Sequence, residues 1–179
     1  LREEATKPIW QHYPIPAPEK VEQGLAALLA YGNSVGLTSV MQVHAKPDVA
    51  DGVKGLEDKG ELTMRFGLCW TMSDPQEPKP VAWREQNVAE RGKYASDKVF
   101  VDCVKLSGDG NPGSTAAMLE PYTDGTSGIL YNKNDYLVDT VRTFDDMGVS
   151  IVIHAIGDKT IRQFIDAVAM LKEQKGELE

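Results

Sequence analysis

Four times along this chain a short apolar run gives way to a stretch whose apolar positions recur every three or four residues, and no other feature limits the fold as strongly. The clearest instance is Ser150-Ile-Val-Ile-His-Ala-Ile-Gly-Asp158. Its β-branched residues predict a strand that delivers one histidine, and Gly157 predicts a turn. Asp158 predicts the N-cap of a helix with Ile161, Phe164, Ile165, Val168 and Leu171 on its apolar side. With a period of two, His154 shares a face with Val152 and Ser150, while Ile151 and Ile153 point the other way. In a βα unit one strand face meets the covering helix, so His154 stands at the carboxyl end on the opposite face, where such folds place their chemistry. The alternative is a buried histidine satisfied by a neighbouring backbone group.

The rest of the chain has the same grammar. Residues 1–18 read as a lead-in, in which Pro8, Pro14, Pro16 and Pro18 keep residues 8–18 extended, with Trp10 and Tyr13 laid on the body of the protein. The βα repeats occupy 19–179. A helix from Glu19 to about Ser34 carries Val21, Leu25, Leu28 and Leu29 on one face and stops at Gly36, and a strand near 37–43 ends at His44. Asp48 or Asp51 caps a short helix with Val49, Val53 and Leu56, closed by Gly60 before a strand at 62–70. Thr71 to Pro80 reads as loop, and a weaker helix near 81–94 has Trp83 and Val88 on its apolar side. The strand at 99–106 ends in Lys105-Leu-Ser-Gly-Asp-Gly110. The loop from Ser107 to Gly128 is longer than a connector needs, and such loops tend to be functional. Asn132 or Asn134 opens a helix with Leu137, Val141 and Phe144, closed by Gly148 before the strand near 149–154.

Strands alternating with helices predict right-handed βαβ units and an α/β fold with four parallel strands in sequential order. A doubly wound sheet would need strands apolar on both faces, and these are less so. Lys105 and His154 fall at the carboxyl ends of adjacent strands, both on the parity facing away from the helices, with Cys103 and Val101 beneath Lys105. That pattern fits a barrel mouth.

Charge and cysteine content narrow the partners. A formal charge of −8 with no basic block argues against a nucleic-acid or anionic-membrane surface and favours small molecules or proteins. Cys69 and Cys103 are too few for a disulfide scaffold and belong to no CxxC or Cys/His zinc spacing, so both read as reduced core thiols. No apolar run is long enough to span a membrane, and the first residues lack the pattern of a signal peptide, so the expected location is cytoplasmic. A lysine in a metal site needs special chemistry, because an ammonium repels a cation and only a neutral amine or a carbamate can ligate. The alternative for Lys105 is an ion pair with Asp102 or Asp109.

Four stretches in order carry a family resemblance: Gly36-Leu-Thr-Ser-Val40, Gly60-Glu-Leu-Thr-Met-Arg65, Val104-Lys-Leu-Ser-Gly-Asp-Gly-Asn-Pro-Gly-Ser-Thr-Ala-Ala117 with Glu120-Pro-Tyr122, and Ile153-His-Ala-Ile-Gly-Asp158. Together they resemble the YtcJ-like branch of the amidohydrolase superfamily, amidohydrolase family 3. The resemblance implies a TIM (β/α)8 barrel with a divalent metal centre, zinc being the expected ion, in which Lys105 and His154 are ligands. It also implies that Asp109 and Asp158 shape the substrate pocket, and that the reaction is hydrolysis of an amide or other C–N bond of a small molecule. The family's His-x-His after strand one, its histidine after strand six and its catalytic aspartate after strand eight have no counterpart here. His12 is in no His-x-His, and His44 falls where the family pattern places no ligand. The chain is therefore expected to be a partial barrel, roughly strands two to five of a longer protein, with no catalytic residue of its own and no activity in isolation. A non-catalytic binding or regulatory module is the alternative. The uncovered half-barrel face, with Val101, Cys103 and Val152 among its residues, leads us to expect a homo-oligomer.

Overall fold

The computed structural model describes residues 7–10, 12–72 and 80–176; the side chains of Trp10 and Trp83, and most of the expected loop between Thr71 and Pro80, lie outside that description. Among the described residues the α-helices and strands follow in the order α1 (Lys7–Trp10), α2 (Pro18–Ser34), β1 (Ser39–Ala45), α3 (Pro47–Asp58), β2 (Arg65–Thr71), α4 (Val81–Ala89), β3 (Val99–Ser107), α5 (Asn134–Asp146), β4 (Ser150–His154) and α6 (Asp158–Lys175), with a 3-10 turn at Glu90–Lys93 after α4. The four strands form one parallel sheet in the order β1-β2-β3-β4, as a partial (β/α)8 barrel requires. Sequential parallel strands joined by crossovers of one hand put the helices on a single face. The core lies there: Phe66, Leu68 and Trp70 of β2 and Val104 and Leu106 of β3 meet Val53 and Leu56 of α3, Val141 and Phe144 of α5, and Leu171 of α6. The opposite face is open, with Met41 60% and Phe100 44% exposed.

Two strands break the alternation on which the side-chain assignment rests. Between the pairs Gly67↔Phe100 and Cys69↔Cys103, β2 advances from 67 to 69 while β3 advances from 100 to 103, so β3 carries one extra residue. Between Gln42↔Leu68 and Ala45↔Trp70, β1 likewise carries one extra residue. The first bulge corrects the expectation for Val101. It is buried with Val99 in the helix-side core, and the helix-free face beneath Lys105 carries Cys103 and then Phe100. A strict period of two run backward from Lys105 misses this by the one inserted residue.

The bulge also brings Cys69 and Cys103 directly opposite each other, and they are joined in a disulfide with Cα atoms 4.6 Å apart. Neither is the reduced thiol expected. Paired positions on neighbouring strands lie within disulfide reach, a relation that only the register reveals. Disulfides persist mainly in oxidising compartments, so a cytoplasmic location loses the support it drew from reduced thiols. No described helix is long and apolar enough to cross a membrane.

Two helix starts differ from expectation and one agrees. Gly157, not Asp158, is the N-cap of α6, and Lys46 precedes α3 in place of Asp48 or Asp51; α5 opens at Asn134, one of the two residues expected, with Lys133 before it. Pro18 and Pro47 set φ at the first turns of α2 and α3. The acidic and amide side chains are engaged elsewhere, as when Asp51 accepts a 2.8 Å hydrogen bond from the Tyr94 hydroxyl. The lead-in contains one helical turn, α1, and Tyr13 is exposed. On α6 the buried residues are Thr160, Gln163, Ala167 and Leu171, with Phe164 and Val168 against the core. Ile161 and Ile165, 46% and 53% exposed, lie to the side.

Leu68 is fully buried at the middle of β2 and touches the helix layer. Leu68→Ala is expected to cost about 2–5 kcal/mol, read as a lower urea midpoint at unchanged m-value.

Candidate functional site

At the carboxyl ends of the strands, His44, Lys105, Ser107, Asp109, Gly110, Asn111, Tyr131 and His154 line one cavity of about 240 Å³. Lys105 and His154 reach it by register. Lys105 pairs with Thr71 on one side and Val152 on the other, and His154 pairs with Ser107. The bulge in β3 sets Lys105 on the helix-free face. Only 7% of Lys105 is exposed, and no carboxylate among the described residues lies within ion-pair distance of its ammonium. Burial alone pushes its pKa below the ordinary lysine range. The ion pair with Asp102 or Asp109 considered above does not form. Asp102 is exposed on the helix-free face further down the strand, and Asp109 is engaged with backbone amides.

The ring of His154 is oriented by the loop after β3. Its Nε2 lies 3.2 Å from the Gly110 carbonyl oxygen, which can only accept, so Nε2 is the donor in this contact. Asp109 Oδ1 is 3.9 Å from the same nitrogen. An imidazole fixed through one nitrogen by a backbone carbonyl, with the other nitrogen left as donor, is the arrangement common to metal-ligating histidines.

Asp109 and Asp158 are placed by different tasks. The Asp109 side chain is wholly buried, and it accepts from the backbone amides of Ile156 at 3.0 Å, Gly157 at 2.7 Å and Ala117 at 3.1 Å. One carboxylate thus joins the end of β3, the long loop and the turn into α6, and it also lines the cavity. Asp158 lies outside the cavity lining, in the first turn of α6, where its carboxylate accepts from the Leu119 amide at 2.8 Å. Two glycines permit this closeness. A Cβ on Gly157 would stand 1.8 Å from the Ala117 carbonyl oxygen, and one on Gly108 would stand 2.6 Å from that of His154. The Ser-Gly-Asp-Gly and Ile-Gly-Asp runs therefore each couple a glycine needed for backbone approach to an aspartate that captures amides.

His44 joins these residues although its position in the sequence suggested no role. Continued alternation from Ser39 and Met41 would set it among the helices; the extra residue in β1 turns it to the cavity and buries Ala45 instead. Gln42 supports the bulge, its Oε1 accepting from the His44 amide at 3.3 Å, and Thr71 Oγ1 lies 3.0 Å from His44 Nδ1. Burial foremost, then the charges of Lys105, Lys46 and His154, pushes the His44 pKa down. Asn111 and Tyr131 were likewise not singled out beforehand. Asn132 holds the far end of the loop by donating to the Ser107 carbonyl at 2.7 Å.

With this geometry in place, the comparisons are informative. The amidohydrolase family model matches residues 1–178, and the chain belongs to that family. It is 26% identical over 163 residues to the exoenzymes regulatory protein AepA of Pectobacterium carotovorum subsp. carotovorum, covering 88% of this chain and 34% of that protein. Its fold matches an uncharacterized metal-dependent hydrolase from Pyrococcus furiosus with a TM-score of 0.74 at 23% identity, over 96% of this chain and 36% of that one. A second, from Pyrococcus horikoshii OT3, gives 0.67 at 22% identity, over 87% and 31%. The chain thus spans about a third of the length of these relatives.

Asp109→Ala would strand three buried amides. It is expected to cost about 2–4 kcal/mol and to speed hydrogen exchange at Ala117, Ile156 and Gly157. His44 has a second consequence. Because its folded pKa lies below the ordinary histidine value, the unfolded chain takes up the proton first as pH falls, so this residue lowers stability progressively as pH drops through the ordinary histidine range. The loss of stability between about pH 7.5 and about pH 5.5 is expected to be smaller in His44→Gln than in the parent, measured by urea unfolding.

Proposed function

We propose that this chain forms one side of the metal-dependent active site of a hydrolase that cleaves an amide or related C–N bond of a small molecule. The observation that carries the reading is the pairing, in one cavity, of His154, its Nε2 held by Gly110, and of Lys105, buried with no carboxylate among the described residues in ion-pair distance. These residues fit part of a centre. His154 would ligate through Nδ1, and Lys105 would ligate as a carbamate, an oxygen donor of carboxylate type that removes the buried positive charge. No group of three or more His, Cys, Asp or Glu among the described residues could hold a metal, and zinc sites use three or four protein ligands. A complete centre would therefore draw its remaining ligands from outside the described residues.

When bound, a divalent metal, zinc by preference, supplies Lewis-acid activation of a carbonyl and of attacking water. The chain's own residues set the stage. Asp109 fixes the loop whose Gly110 carbonyl orients His154, and Asn111 and Tyr131 wall the cavity against which a substrate lies. His44, neutral at neutral pH and held by Thr71, offers a hydrogen-bonding group that does not compete for the site with charge.

A second reading, a regulatory module on an amidohydrolase-like barrel, is favoured by the name of the AepA relative and by the small number of ligands present. Elemental analysis separates the two. The isolated chain is expected to hold well under one equivalent of zinc and to hydrolyse nothing. A longer polypeptide that completes the barrel is expected to hold metal, and to lose most of it in His154→Ala or Lys105→Ala. A completed barrel that folds without metal and cleaves no amide, carbamate or cyclic imide would favour the regulatory reading. Independently of metal, Lys105→Met is expected to raise stability by about 1 kcal/mol, or a Tm increase of about 2–4 °C, because it removes a buried unpaired charge.

A further inference from the structure

The strand that carries Lys105 reaches the cavity by a change of phase, and a covalent bond sits where the phase changes. Beyond the extra residue of β3 the first paired positions are Cys69↔Cys103, joined by the disulfide, followed by Trp70↔Val104 and Thr71↔Lys105. Without that residue Thr71 would pair with Val104, Lys105 would turn into the helix layer, and Val104 and Leu106 would leave it. A slip of one residue exchanges the two faces of a strand while its ladder can still form, so register must be held by something other than backbone hydrogen bonds. Val104 and Leu106, both buried, hold it on the helix side. On the cavity side stands a polar row of Thr71, Lys105, Ser107 and His44, which offers little packing to resist a slip. The disulfide ties β2 to β3 on this same face, and its cysteines are 0% and 4% exposed.

We propose that the Cys69–Cys103 disulfide is a positioning device, a covalent register clamp that keeps Lys105 and the Thr71–His44 pair together on the cavity face and thereby couples assembly of the site to the redox state of the two cysteines. Opening it takes two electrons and two protons from a thiol or dithiol reductant. The S–S bond breaks, two cysteine thiols form, and the reductant leaves as its own disulfide. The importance of Lys105 rests on the reading given under Proposed function; the clamp itself does not.

The test needs no metal and no substrate. Intact mass under non-reducing conditions is expected to lie about 2 Da below that of the reduced chain. Two clamp-free chains, Cys69→Ser/Cys103→Ser and Cys69→Ala/Cys103→Val, are checked for folding by circular dichroism and then compared with the parent. Amide exchange at residues 103–107 is expected to quicken at least about tenfold, with residues 99–101, before the bulge, unchanged. Acetylation of Lys105 by an N-hydroxysuccinimide ester, relative to exposed Lys159, is expected to rise at least about fivefold. Lys98, which donates to the Leu62 carbonyl before the bulge, is expected to keep its rate. Free thiols in the parent, unchanged exchange and labelling in a folded variant, or loss of structure on both sides of the bulge would each overturn the clamp. A chain that shows the expected changes yet never binds metal would leave the clamp standing and remove the metal reading.

Discussion

A parallel strand presents its side chains to two faces in alternation, and the cavity of this protein depends on breaking that alternation twice. With regular strands, His44 and Lys105 would both point at the helices, where an ammonium has no partner and several kcal/mol of desolvation would oppose folding. One inserted residue in β1 and one in β3 rotate these side chains to the helix-free face while keeping Ala45, Val104 and Leu106 in the core. The hydrophobic layer thus stays continuous along each strand, because every side chain beyond the bulge changes face, the apolar ones into the helix layer and the polar ones out of it. The core enforces the register, and the register places the chemistry.

The second structural dependence is on Asp109. A loop as long as that from Ser107 to Asn132 has a large conformational entropy to lose; its two limbs are tied by backbone bonds from Tyr131 to Gly108, Ile129 to Thr115 and Met118 to Ser127, and by the bridge Asp109↔Leu130. A buried carboxylate with three amide donors provides a charge-assisted anchor at the centre, with Asp158 and Asn132 as anchors near its other contacts. The same anchoring orients Gly110 toward His154. Loop order and imidazole orientation are therefore one event, and a chain that loses the anchor loses both.

How much of this was legible follows from which signals are local. The order of strands and helices was readable because apolar periodicity and glycine stops are written residue by residue, and the sheet has the parallel sequential order that such alternation implies. The convergence of Lys105 and His154 was readable because each stands on the inward parity near the carboxyl end of its strand. Val101 was misread, and the place of His44 in the cavity went unseen, because a bulge depends on how a neighbouring strand packs, and nothing in Ser39–Ala45 or Val99–Ser107 marks the inserted residue. The disulfide escaped for the same reason, since 34 residues separate its cysteines and only the register sets them opposite each other. Asp158 had the right neighbours for a cap, but a competing amide from Leu119 took its carboxylate, a contact across 39 residues that no window of local sequence contains.

The charge balance of the cavity runs against that of the whole molecule. The chain carries a net −8, yet the groups that line the cavity are two histidines and a lysine, and the one carboxylate among them, Asp109, is already engaged by three amide donors. Within the cavity it is the Lys105 ammonium that repels a divalent cation. Addition of carbon dioxide to the neutral amine, with loss of a proton, would make an anionic carbamate and replace that repulsion with attraction. Burial favours the first step of that conversion by holding more of the amine uncharged, and the uncharged amine is the form that can react. The lack of a counter-ion, costly for a permanent ammonium, is what leaves room for the charge to be reversed. A lysine placed only for stability would have been paired or exposed; this one is neither, and the bulge and disulfide beneath it maintain that condition.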